Sequence, residues 1–145
     1  MRRDGTDLRR LARGQFARWA PDGTKLVLDA PTKGSEGDLF VLDADGTGRR
    51  RLTSTPDLEQ AAGWSPDGSE IVFTRFYLAG GSDVFVMDVD GTNVRRLTRQ
   101  PARDDAAAWS PDGSRILFTS ERTGRPQVFV ITRTDPVSGT SLAIA

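Results

Sequence analysis

The residues able to do chemistry here are acids, hydroxyls and arginines, because the chain has no histidine and no cysteine. That removes the commonest general base, the commonest metal ligand and all thiolate chemistry. A Ser-His-Asp site is excluded, and neither a Gly-x-Ser-x-Gly elbow nor a Gly-rich phosphate loop occurs. The carboxylates form patterns instead. Glu59 and Asp104 each precede a tryptophan by five residues, and Asp105 stands beside the second. At the mouth of a channel they would make an acidic funnel for a cationic ligand, a peptide or a metal. The plainer reading is turn capping and solubility, and Gly14 at the same place in the first copy interrupts any ring. A pair such as Glu59 with Asp104 could do acid–base work in principle, but nothing selects it for that. Asp-Ala-Asp-Gly-Thr (43–47) and Asp-Val-Asp-Gly-Thr (88–92) start like a calcium loop. They lack its later oxygen ligands and closing glutamate, so hairpin turns are expected. No cofactor and no metal is expected.

These residues sit on a repeated frame. "FARWAPDGTKLVL" (16–28), "AAGWSPDGSEIVF" (61–73) and "AAAWSPDGSRILF" (106–118) place Trp19, Trp64 and Trp109 at intervals of 45 residues. A fixed period of that size marks a repeat architecture. Each copy reads as four strands. A short strand ends at the tryptophan; Pro-Asp-Gly turns the chain; an apolar run such as "EIVFTRF" (70–76) follows. A loop leads to a second apolar run, "DVFVMDV" (83–89), and Asp-Gly-Thr turns it into "NVRRLT" (93–98). The opening "DGTDLRRLA" (4–12) matches the end of that unit, so the chain begins on the last strand of a preceding one.

The apolar runs have no wet face, so each sheet must be covered on both sides. Sheets stacked radially achieve this, which predicts an all-β fold of β-propeller blades, three four-stranded antiparallel meanders forming a partial or half propeller. The expected division is an outer strand of a preceding blade at 1–12, then blades at 13–53, 54–98 and 99–145, with "TSLAIA" (140–145) as a candidate closing strand. Trp19, Trp64 and Trp109 are expected to fill the space between blades. The arginine pairs Arg9-Arg10, Arg50-Arg51 and Arg95-Arg96 fall on outer strands, where charge prevents edge-to-edge aggregation. A nucleic-acid or lipid belt is not expected, since the net charge is zero and no aromatic platform accompanies the pairs. No signal-peptide pattern and no run of about 18 apolar residues occurs, so no membrane insertion is expected.

The stretch "WSPDGSEIVFTRF…DVFVMDVDGTNVRRLT" resembles the repeat of TolB-type, WD-like β-propellers, and the resemblance covers most of the chain. It implies a propeller binding module without catalysis and a periplasmic or extracytoplasmic setting. It also allows the propeller of a larger enzyme, such as a prolyl-oligopeptidase-like serine peptidase. Complete propellers have about four to eight blades. The three here belong either to a longer protein or to half a six-bladed ring completed by a homodimer.

The Pro-Asp-Gly and Asp-Gly-Thr turns share one rim and barely vary. The opposite rim carries "APTKGSEG" (30–37), "FYLAGGS" (76–82) and "ERTGRPQ" (121–127), with the inter-blade loops "STPDLEQ" (54–60) and "RQPARDD" (99–105). Variation on one rim marks it as the face for a protein or peptide partner. Glu59, Tyr77, Asp104, Asp105 and Arg125 are its expected contact residues.

Overall fold

The computed structural model describes residues 8–133, and every regular element among them is a strand. The Asp-Gly-Thr at 4–6 and the candidate closing strand at 140–145 lie outside the described residues. The first meander is β1 (Gln15–Trp19), β2 (Lys25–Thr32), β3 (Ser35–Asp43) and β4 (Arg50–Arg51), each antiparallel to the one before. The second repeats it as β5 (Leu58–Trp64), β6 (Glu70–Phe76), β7 (Ser82–Asp88) and β8 (Arg95–Arg96). The third has β9 (Asp104–Trp109), β10 (Arg115–Ser120) and β11 (Gln127–Thr132). Single parallel pairs tie one meander to the next, Gly37 with Leu58 and Ser82 with Arg103.

The outer strands are shorter than the repeat suggested. Pairing stops after two residues because a side chain takes over the ladder. Thr53 Oγ1 accepts the Leu39 amide at 2.9 Å, and Thr98 Oγ1 accepts the Val84 amide at 3.1 Å. The Asp-Gly-Thr hairpins also differ from a two-residue turn. Gly46 N donates to Asp43 O and Asp43 N to Thr47 O, with Gly46 at φ 94°. Gly91, at φ 86°, repeats this between Asp88 and Thr92. Each is a three-residue loop with a left-handed glycine, the second common hairpin solution.

Apolar residues on both faces of the inner strands form the core between meanders. Val27, Leu39 and Val41 pack against Trp64, Ile71, Phe73 and Met87. Val72 and Val84 pack against Ala107, Ile116, Phe118 and Ile131. Phe73 and Phe85 stack at 5.4 Å between centroids. Trp64 fills the first interface and donates from Nε1 to Arg18 O at 3.1 Å. Trp109 is half-buried in the second, beneath the Arg133 guanidinium, and its buried Nε1 has no acceptor among the described residues. Trp19 departs from the expectation. It is exposed, and among the described residues no other meander lies against it.

Candidate functional site

The two rims are built differently. On the turn rim each aspartate closes its own turn. Asp22, Asp67 and Asp112 accept the amides of Thr24, Ser69 and Ser114 at 2.9, 3.0 and 3.0 Å. Asp45 and Asp90 do the same for Thr47 and Thr92 at 2.8 and 2.9 Å. Hydrogen bonds from Ser65 and Ser110 lead in holding Asp67 and Asp112 down at about 2. Such carboxylates favour their own loop over a ligand.

On the loop rim the structure corrects the picture of an open acidic funnel. Glu59 and Asp104 are fully buried. Glu59 accepts from Thr53 Oγ1 at 3.0 Å, Thr55 Oγ1 at 2.5 Å and Arg75 Nε at 2.9 Å. Asp104 is held by Arg122 Nη2 at 3.3 and 3.4 Å. Each carboxylate thus has its own arginine, and no hydrogen bond links the two. Burying a charge is tolerable only with such partners. Arg75 and Arg122 lie over Phe85 and Phe129 at 4.6 and 4.5 Å, so each cation rests on an aromatic ring as well as being paired.

Sequence reasoning missed a second layer of the same network. Asp38 and Asp83 lie in the first half of the third strand of their meanders and are buried. Arg51 Nη2 reaches Asp38 at 2.7 Å, and Arg96 Nη2 reaches Asp83 at 2.6 Å. Their Nε atoms bind Thr53 O and Thr98 O at 2.6 and 2.8 Å. Of the preceding arginines, Arg50 donates to Asp90 O at 2.7 Å and Arg95 binds Glu70. The arginine pairs therefore have specific partners beyond charging an edge. Their recurrence, in step with Asp38 and Asp83, was the available signal.

Tyr77 is half-buried in a cleft of about 190 Å³ with Gly80, Gly81, Asp83, Arg96 and Pro101. Burial, then the hydrogen bond to and charge of Asp83, push its phenol up to about 12. A broader hollow of about 500 Å³ lies between Pro31, Glu36, Pro56 and the exposed Leu78. Asp105 is bound by Arg103 at 2.9 Å, and Arg125 is exposed on the 121–126 loop. The turn rim has clefts of comparable size, about 240 and 380 Å³, so volume does not separate the rims. The commitment of the side chains does.

Antiparallel meanders, of four, four and three strands among the described residues, stacked face to face on a 45-residue period define a β-propeller. The chain belongs to the family described as the tricorn protease N-terminal beta propeller domain, whose profile matches residues 34–141. It is similar to the putative TolB of Agrobacterium tumefaciens, with 29% identity and a TM-score of 0.72 over 87% of this chain and 43% of that one. Similarity to TolB of Acinetobacter baumannii reaches 21% identity and a TM-score of 0.70, over 90% and 31% of the two chains. The tricorn protease matches at 15% identity and a TM-score of 0.69, covering 94% of this chain and 16% of its own. These last two speak to the fold alone. The chain spans less than half the length of either TolB structure. No curated protein sequence matches it significantly.

Proposed function

We propose that the chain is a non-catalytic propeller module that engages a protein or peptide through its loop rim. The observation that carries this reading is the contrast between the rims. Turn-rim acids are spent on their own turns, while the loop rim offers Tyr77 and Leu78 at clefts of differing shape and Arg125 exposed on its own loop. Glu59 and Asp104 enter as the rigid floor beneath those loops rather than as contacts. The test is selection of peptides from a displayed library on the full chain. Tyr77→Ala, Leu78→Ala and Arg125→Ala are expected to weaken the selected binders, and Asp22→Ala and Asp112→Ala to leave them unchanged. Binders indifferent to the first set would sink the reading.

One observation favours a second reading. The family takes its description from the propeller of a protease, and a dipeptidyl peptidase of Porphyromonas gingivalis is also a structural neighbour. In that setting the propeller would accompany a hydrolase domain supplying the triad that this histidine-free chain lacks. The reading frame around the coding sequence decides between the two.

A further inference from the structure

The repeat sets two hollows of the loop rim at the same point and supplies an aromatic ring to only one. Residues 30–37 and 75–82 are equal in length, and Asp38 and Asp83 follow them in one register, opposite Ala30 and Arg75. Thr32, Ser35, Glu36 and Pro56 line the first hollow. Tyr77, Gly80, Gly81 and Pro101, each 45 residues later, line the second. The supporting ion pairs match as well. Arg51 and Arg96 reach Asp38 and Asp83 at 2.7 and 2.6 Å, from outer strands that set Phe40 opposite Arg51 and Phe85 opposite Arg96.

The occupants differ. In the second meander the Arg96 guanidinium lies 5.7 Å from the centre of the Tyr77 ring, and the phenol donates to the Asp83 carboxylate. In the first meander the same slot holds Thr32, whose hydroxyl donates to Asp38. A threonine reaches the carboxylate but brings no ring, and the hollow measures about 500 Å³ against about 190 Å³. Pro31, Pro56 and Leu78 give it apolar walls, the leucine 75% exposed. Asp38 also keeps a spare acceptor. Thr98 donates to Asp83 Oδ1 at 3.1 Å, whereas its counterpart Thr53 donates to Glu59 Oε2 at 3.0 Å. The buried Asp38 Oδ1 is left with no donor among the described residues. An unpaired buried oxygen is costly, so a hydroxyl brought to it is favoured.

We propose that the first hollow takes a tyrosine side chain of a protein or peptide partner, its ring against Pro31, Pro56 and Leu78 and its phenol donating to Asp38, as Tyr77 serves Asp83 one repeat later. The inference rests on the loop-rim reading and narrows it to one pocket and one side chain. The chain itself supplies the template, since the carboxylate and its arginine recur while the ring does not. The charge balance favours a neutral donor. Arg51 already answers the Asp38 carboxylate, so a lysine or arginine of the partner would meet a guanidinium there. A phenol brings a hydrogen bond without a charge, and its ring covers apolar walls. Phenylalanine would fill the space and leave the acceptor bare.

The probe is N-acetyl-tyrosinamide, titrated into the isotope-labelled full chain and followed by amide NMR shifts. Saturable shifts are expected at Thr32, Ser35, Glu36 and Leu78. N-acetyl-phenylalaninamide should move the same amides with about tenfold weaker affinity, for want of a hydrogen bond to a charged acceptor. N-acetyl-alaninamide should move none. Thr32→Tyr puts the chain's own ring in the slot and should abolish the shifts without lowering the unfolding midpoint. Leu78→Ala, at an exposed position, should weaken the tyrosine probe even where Thr32→Tyr fails to fold. Shifts confined to other residues, no shifts, or equal affinity for the tyrosine and phenylalanine probes overturn the proposal. That failure is distinct from failure of the loop-rim reading. Selected peptides that respond to Tyr77→Ala and Arg125→Ala would keep the rim and lose this slot. Peptides indifferent to Tyr77, Leu78 and Arg125 would sink the rim reading itself.

Discussion

A carboxylate taken out of water must find donors, and Glu59 finds three in Thr53, Thr55 and Arg75. Glu59→Gln keeps the shape and removes the charge that Arg75 answers. It should cost about 3 kcal/mol, read as a lower urea midpoint, because a half-broken buried pair leaves a cation uncompensated. Asp104→Asn should cost less, since Arg122 holds it at longer distances. Asp29 is the opposite case. Burial pushes its carboxyl up to about 6, and its main help is the Ala61 amide at 3.4 Å. The folded chain therefore favours the protonated form. The stability this group contributes is full below about pH 4 and is lost as pH rises to about 6, up to about 3 kcal/mol. Asp29→Asn should raise the melting temperature at pH 7 and flatten the profile between pH 4 and 6. An unchanged profile would refute that assignment.

Single elements show how much of the fold the repeat announced. The inner strands were legible because "EIVF" and "VFVM" have no wet face, and both sides of β6 and β7 are indeed covered. The hairpin type was not, because Asp-Gly serves two-residue and three-residue loops alike. The outer-strand length escaped because Thr53 and Thr98 replace backbone acceptors, a substitution that strand propensity does not record. Nor could a charge count separate a solvated acid from Asp38 or Glu59, whose partners lie four to sixteen residues away. Gly91 provides the test at this scale. Its φ of 86° and the nearby Leu52 carbonyl both oppose a side chain. Gly91→Ala should cost about 1–2 kcal/mol or more. Gly63, where an added Cβ meets nothing within 4 Å, should accept the same change far more cheaply.

At the scale of the whole molecule, the clusters among the described residues lie within one meander or join neighbours, so stability is close to a sum of meanders and their interfaces. Trp64→Ala removes a wedge from the first interface and should cost about 3–5 kcal/mol. Trp19→Ala, at an exposed position, should alter unfolding far less. The placement of the second meander has a kinetic consequence. Clamped on both faces, β6 and β7 can release their amides only after one flanking sheet has let go. Deuterium should therefore enter the stack from its two ends and reach the amides of Phe73 and Phe85 last, as a front of fraying rather than a single opening.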